Sequence, residues 1–438
     1  MPKVFRPWDV EQVWLLPPSI QQMVPEGHVA HFVRETVRES LDLSGILESY
    51  GEERGQPPYH PAMMTALLLY AYSQGVYSSR GIARACEERV DFMAVTAMQR
   101  PDFRTIAEFR RRHLKALSSL FLQVVRLCRR AGLVRLGHVA LDGTKIRANA
   151  SKHKAMSYGR MDAEEKRLEA EVKSWLAQAE QMDRREDKKH GPELRGDELP
   201  DWVKSKQLRL QKIREAKAAL EAEAREKQPP PSQASGPPGR PGKHPAGVPR
   251  PEAQRNFTDP ESRIMMSAEG FQQCYNAQAA VDGEQQVIVA CGLTQSATDR
   301  HQLVPLIDQI RSTCGCDARE VSADSDYCTE EALATLEQRG IRGYVATGKQ
   351  QHGKGAPIAG RKVAAGGPRD RMRRRLKLGG HRSRYRFRKQ VVEPVYGQIK
   401  AARGFRQFLL RGVEKVTAEW SLVCSASNLL KLYRAAAV

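Results

Sequence analysis

Three acidic residues stand out by position rather than by type. Asp142 sits inside the apolar run HVALDGTKI (138–146), Asp324 closes EVSAD (320–324), and Glu393 lies in VVEPVYGQIK (391–400). In a chain with 51 acids, an Asp or Glu is ordinarily a solvated or capping residue. A carboxylate among aliphatic side chains differs, because burying it costs free energy unless something compensates it. Three such groups on adjacent elements of one sheet would raise one another's pKa unless they shared a divalent cation. Mg2+ takes a few carboxylates together with waters and phosphate oxygens, so the trio suits two-metal chemistry on a phosphodiester.

Charge points the same way. The 438 residues carry 71 Lys and Arg, a formal net charge of +20 and a sequence pI near 9.7. Such a surplus implies a polyanionic partner. It is concentrated in residues 361–390, where thirteen Lys and Arg stand against the single acid Asp370. A charge run is usually a solvated face or tail. This one feeds an amphipathic, helix-like segment instead, which favours a footprint on nucleic-acid phosphates. Other classes are disfavoured. No stretch approaches the ~18–20 apolar residues of a membrane span. MPKVFRPWDVEQ at the start has no export pattern. The eight cysteines are scattered, with Cys314 and Cys316 the close pair, so ordinary thiols in a reducing cytoplasm are expected.

Hydrophobic content of 40% supports a real core, and the length fits two or three domains. Residues 1–131 read as all-helical. Residues 61–73 form a helix ending before Gly75, Ser78 or Ser79 caps the next, and Thr105 with Glu108 forms a capping box ahead of a long helix ending at Gly132. Short helices with Arg on one face suit a DNA-binding domain of helix-turn-helix type and an ordinary bundle alike.

Beyond residue 132 the texture becomes α/β. Strands are expected at 138–146, 271–281, 286–293, 320–324 and 343–347, with Asp282-Gly283-Glu284 as a hairpin turn, and helices at 301–312, 330–339, 390–403 and 417–435. Two charged helices, around 161–179 and 203–227, interrupt the series as an inserted hairpin spanning 152–227. A Pro/Gly-rich flexible linker at 228–256 follows. The core is then residues 132–151 joined to 257–438. Strand, strand, strand, helix, strand, helix, strand, helix is an order that the ribonuclease-H-like fold satisfies, a mixed sheet flanked by helices, though periodicity leaves other mixed folds open.

LDGTKIRANAS (141–151), YNAQAAVD (275–282), SADSDY (322–327) and VEPVYGQIKAARGFRQFLLRG (392–412) together resemble DDE-type bacterial insertion-sequence transposases. RPDFRTIAEFRRRHL (100–114) resembles the end of the helical N-terminal domain of the same group. The resemblance implies that Asp142, Asp324 and Glu393 are the catalytic, metal-binding triad for two Mg2+ or Mn2+ ions. It implies double-stranded DNA as partner, both element ends and target, with a homodimer or higher oligomer in the active complex. The setting it implies is a prokaryotic cytoplasm, at the nucleoid when DNA-bound.

The family's Y-x2-R-x3-E-x6-K signature has its nearest equivalents in Tyr385, Arg388, Glu393 and Lys400, with Arg403 beyond. Lys400, two helical turns after Glu393, is placed to reach a phosphate. Four residues separate Arg388 from Glu393, so strict spacing puts Lys389 in the arginine position and Arg386 in the tyrosine position. Asp326 replaces the glycine of A-D-x-G-Y. If that glycine supplies a positive φ, Asp is among the less costly replacements; alternatively Asp326 itself contributes to metal binding. A same-fold endonuclease without strand transfer, or a decayed copy that only binds DNA, are the competing readings.

Overall fold

The computed structural model describes residues 19–50, 58–190, 201–226, 247–267, 269–348, 366–379 and 384–436. Seven helices come first: α1 (Val29–Glu39), α2 (Ser44–Leu47), α3 (Pro61–Ser73), α4 (Ser79–Glu88), α5 (Val90–Thr96), α6 (Phe103–Arg112) and α7 (Leu114–Arg130). Pro61 at the first position of α3 needs no intrahelical donor, and nearly every α3 side chain is buried. Ser78 caps α4 by accepting the Gly81 N–H.

The Thr105–Glu108 capping box is not what forms. Asp102 caps α6, accepting the N–H groups of Arg104 and Thr105, and the Thr105 hydroxyl is spent on Asp102 as well. The long helix expected to Gly132 is two, divided at His113, whose ring meets the Tyr50 hydroxyl at 3.1 Å.

The chain then enters β1 (Val139–Arg147), β2 (Ala155–Ser157), α8 (Tyr158–His190), α9 (Asp201–Glu226), β3 (Gln254–Asn256), β4 (Arg263–Ser267), β5 (Gly270–Asp282) and β6 (Ile288–Thr294). After these come α10 (Leu303–Cys314), β7 (Glu320–Ala323), α11 (Glu330–Gln338), β8 (Arg342–Val345), α12 (Pro368–Gly379), α13 (Phe387–Gly397) and α14 (Val413–Ala436).

The main sheet is mixed, in the order β4-β5-β1-β7-β8, with β6 also paired to β5. β5 has room for both neighbours: β4 pairs with its first residues, from Gly270 to Cys274, and β6 with the stretch from Asn276 to Val281. β5 runs antiparallel to β1, whereas β1, β7 and β8 are mutually parallel. β6 begins at Ile288 rather than 286 because Gln286 takes a positive φ of 56° in the connection from β5. β4 and the short β2–β3 pair gave no alternation long enough to be read as strands.

α14 lies between the sheet and the first helices, packing on α7 and α3 on one side and β6 on the other. A single apolar cluster accordingly runs from Val33 and Leu68 through Trp420 to Val289 and Leu141. The α8–α9 hairpin has a separate small core of Met161, Leu168, Leu210, Ile213, Ala216 and Leu220. Ion pairs such as Lys217 with Asp162 and Glu165, and Lys206 with Glu171, cross between its helices. Of the break expected at 190–202, residues 191–200 lie outside the described residues while His190 ends α8 and Asp201 and Trp202 open α9; most of the Pro/Gly-rich stretch also lies outside them, but its end forms β3, antiparallel to β2. Among the described residues no helix is long and apolar enough to cross a membrane.

Candidate active site

The β1–β7 register brings Asp142 and Asp324 together. Ala140 pairs with Ser322 in parallel, so two residues further along each strand the chain carries these two acids side by side, about 4.8 Å being the usual strand spacing. β7 stops at Ala323, and Asp324 caps the 3-10 turn Ser325–Tyr327 by accepting the Asp326 N–H at 2.9 Å. Asp142 Oδ1 accepts the Gly143 N–H at 2.9 Å.

Both carboxyls are strained electrostatically. Burial pushes Asp142 up to about 6; Arg388 opposes the rise, and the negative charges of Asp324 and Asp299 add to it. Burial also raises Asp324, against the pull of a hydrogen bond from Asp326 and the charge of Arg388. One guanidinium thus serves two carboxylates. Arg388 Nη1 donates to Asp142 Oδ2 at 2.8 Å, and the two side chains are only 11% and 17% exposed. Arg388 Nε is buried without a hydrogen-bond partner, so the site is polar and incompletely satisfied.

α13 delivers Arg388 through its apolar face, Val391, Val392, Val395 and Tyr396. The Tyr396 hydroxyl donates to the Asp142 carbonyl at 2.6 Å, fixing the helix to β1 at the acid itself. Pro394 has no N–H for the Gln390 carbonyl one turn back. That carbonyl instead accepts from Gln286 Nε2 at 3.2 Å. The helix then widens into a π-helical turn, Gln398–Ala402.

The other expected residues are placed differently from one another. Glu393 is exposed on α13 and makes no hydrogen bond or ion pair with Asp142 or Asp324. Lys389, one turn before it, is exposed as well. Tyr385 is half-buried and hydrogen-bonded to Arg388. Lys400 is turned onto β1 by the π-helical segment, its Nζ bonding Thr144 Oγ1 at 3.0 Å and the Lys145 carbonyl at 3.3 Å. Arg403 is half-buried against α14 and the first helices: its Nη2 donates to Ser427 Oγ, and its carbonyl accepts from Tyr77 OH.

Asp326 is exposed, in a 3-10 turn, and the non-glycine residues of positive φ are Ala97, Met98, Leu136 and Gln286. The position therefore does not need glycine's backbone freedom. The basic run is partly consumed in packing. Arg371 pairs with Glu337, Arg373 with Asp370, and Arg375 donates to the Gly343 carbonyl; residues 361–365 and 380–383 lie outside the described residues.

One carboxylate near the pair escaped sequence reading. Asp299, between β6 and α10, is 4% exposed and acts electrostatically on both Asp142 and Asp324. The signal that pointed to its surroundings is in YNAQAA, where polar Asn276 and Gln278 alternate inside the buried part of β5, among Tyr275, Ala277, Ala279 and Ala280. Polar groups in such a place require partners. The donor set at Asp142 and Asp324 is hard carboxylate oxygen, which suits Mg2+ or Mn2+ rather than a soft metal. Among the described residues no group of three His, Cys, Asp or Glu side chains stands together at metal-holding distance.

Residues 18–112 match the family described as Transposase domain (DUF772), and residues 246–429 match that described as Transposase DDE domain. No curated protein and no solved structure matches the chain.

Proposed function

We propose, from the premise that this chain belongs to the DDE-type insertion-sequence transposases, that it binds the ends of a mobile DNA element and cuts and rejoins phosphodiesters at Asp142 and Asp324. The observation that carries this reading is the side-by-side placement of those two half-buried acids, with the Arg388 guanidinium bonded to one and acting by its charge on the other. The six-stranded sheet, with β4, β5, β6 and β1 in antiparallel pairs, β7 and β8 parallel to β1, and Asp142 inside β1, is read as a ribonuclease-H-like core.

Asp142 and Asp324 would hold the divalent ions, with Glu393 contributing from α13. Bound Mg2+ or Mn2+ supplies an activated water or 3′-hydroxyl nucleophile and stabilises the leaving oxygen. The chain's own residues do the rest. Tyr396 holds Asp142 against α13, and Lys400 fastens the next turn of that segment to β1. Lys389, exposed one turn before Glu393, is placed to meet a DNA phosphate. Arg388 neutralises Asp142 while no other cation does, and a phosphate entering the site offers it a second anion. A second copy in the active complex belongs to the same reading.

The test is cleavage of DNA carrying the flanking element ends, in Mg2+ or Mn2+, with wild type beside Asp142→Asn. Metal-dependent nicking at the boundary, lost in the variant while duplex binding persists, is expected. Equal cleavage by both proteins refutes the assignment. Pre-cut ends then separate a transposase, which joins them to target DNA, from an endonuclease, which does not.

A further inference from the structure

Behind Asp142, on the opposite face of the sheet, lies a buried polar cluster for which the proposed chemistry has no use. Gly143 is paired with Gln278 and Lys145 with Asn276 in the β1–β5 register, so these four residues share that face. Asp299 enters from the β6–α10 loop. Its Oδ1 accepts from Asn276 Nδ2 and, at 2.7 Å, from Gln278 Nε2, with Lys145 Nζ 3.7 Å away. Gln278 Nε2 also donates to Asn276 Oδ1 at 3.0 Å, and Gln278 Oε1 accepts from the Tyr327 hydroxyl. Tyr327 closes the turn that Asp324 caps. Asn276, Gln278 and Tyr327 are wholly buried.

The Asp299 oxygen that faces the two amide NH2 groups can only accept from them. Asp299 therefore decides which way the Gln278 amide faces: NH2 toward Asp299, oxygen toward Tyr327. A chain of hydrogen bonds runs from Asp299 through Gln278 and Tyr327 to the turn that carries Asp324. The same amide fills the space next to Gly143. A Cβ added there would lie 2.6 Å from Asp299 Oδ1 and closer still to Gln278 Nε2, so the residue after Asp142 is held to glycine by this contact.

We propose that Asp299 is a positioning residue for the catalytic pair, fixing through Gln278 and Tyr327 the spacing of Asp142 and Asp324 at which both can hold one divalent cation. This rests on the metal-dependent reading above.

The experiment measures Mn2+ affinity by electron paramagnetic resonance on the full-length protein without DNA. Wild type is compared with Asp299→Asn, Tyr327→Phe and Asp142→Asn, with circular dichroism as the check of fold. Asparagine at 299 keeps the shape but offers an NH2, which lets the Gln278 amide turn over and leaves Tyr327 without its acceptor. Supporting groups behind metal ligands typically contribute 10–100-fold to affinity, so Asp299→Asn should weaken Mn2+ binding by about 10-fold or more with helix content unchanged. Tyr327→Phe removes one oxygen and should weaken it in the same direction. In single-turnover cleavage both variants should lose kcat with KM for DNA kept.

Wild-type Mn2+ affinity in both variants, with binding lost in Asp142→Asn, overturns the proposal and leaves the functional reading intact. Wild-type affinity in Asp142→Asn overturns that reading instead. If Asp299→Asn does not fold, Tyr327→Phe decides alone.

Discussion

Asp142→Asn should make the metal-free protein more stable even as it disables the site. The folded-state pKa of Asp142 is about 6 against 3.8 for the free group. The difference of roughly 2 units corresponds to about 3 kcal/mol. That figure already includes the attraction of Arg388, because the guanidinium is one of the charges acting on the carboxyl.

The folded chain holds this proton more tightly than the unfolded chain does, so ionisation works against folding. Stability is thus lost as pH rises from about 4 to about 6, and the full penalty persists above that. Asparagine never ionises. Its carbonyl oxygen can still accept from Arg388, and the other raised carboxyls are common to both proteins and cancel. The gap in stability should open between about pH 4 and 6 and stay level to pH 8. At about 2–4 °C per kcal/mol, the figure for a body of 150–250 residues, Tm should rise by at most roughly 6–12 °C at pH 7.5. Thermal unfolding followed by circular dichroism in EDTA, from pH 4.5 to 8, reads this directly. Added Mn2+ should narrow the gap by raising the wild type alone. A Tm at pH 7.5 equal to or below wild type, or a gap independent of pH, refutes the claim that Asp142 is a burdened carboxylate awaiting a cation.

The remaining expectations concern its neighbours. Arg388→Met removes the resident cation, so at pH 8, where Asp142 is ionised, calorimetric titration without DNA should show tighter Mn2+ binding than wild type; equal or weaker binding counts against competition for the site. Glu419 is fully buried and raised to about 7, by burial first, while accepting the Leu409 and Leu410 N–H groups; Glu419→Gln should therefore flatten the loss of Tm as pH climbs from about 4.5 to 7. Lys389→Ala should reduce the slope of log affinity against log salt by about 0.9, one phosphate's worth, whereas Lys400→Ala should leave that slope unchanged and lower stability by the loss of two bonds, about 1–2 kcal/mol, read as a fall in Tm. Filter binding at several salt concentrations separates the two lysines. Asp326→Gly should leave cleavage close to wild type, since the backbone there is not left-handed; a several-fold loss in gel-based cleavage would make Asp326 a ligand.

What was legible in the sequence was local. An Asp within an aliphatic strand, and another at a strand's end, announce themselves because burial of a charge needs a reason, and parallel pairing of β1 with β7 does bring them level. Proline in α13 was visible, but not that Gln286, more than a hundred residues earlier, satisfies the carbonyl it orphans. Nor was the π-helical turn visible, and it is this turn that takes Lys400 from the expected outward face to Thr144. Asp299 was illegible for a similar reason. Its partners come from β1, β5 and the turn after β7, and one sequence carries no mark of which distant polar groups will meet. The capping box failed by three residues because Asp102 competes for the same N–H groups more directly than Thr105 does.

The short pairing of β2 with β3 has a consequence for how this chain can vary. Ala155, Met156 and Ser157 lie against Asn256, Arg255 and Gln254, and Asn256 Nδ2 reaches back to the Ser151 carbonyl at 2.8 Å. The described α8–α9 hairpin joins the rest of the chain at this doorway, one strand pair wide. Closing a loop costs only about 0.6 kcal/mol more for each doubling of its length, and the α8–α9 hairpin brings its own core. With the doorway closed by its own ladder, α9 reaches the main sheet at its β4 edge, where Glu223 pairs with Arg263, and β5 lies between that edge and the strand that carries Asp142. The chain thus presents a socket, into which helical arms of other lengths can be plugged without retuning the acids behind it.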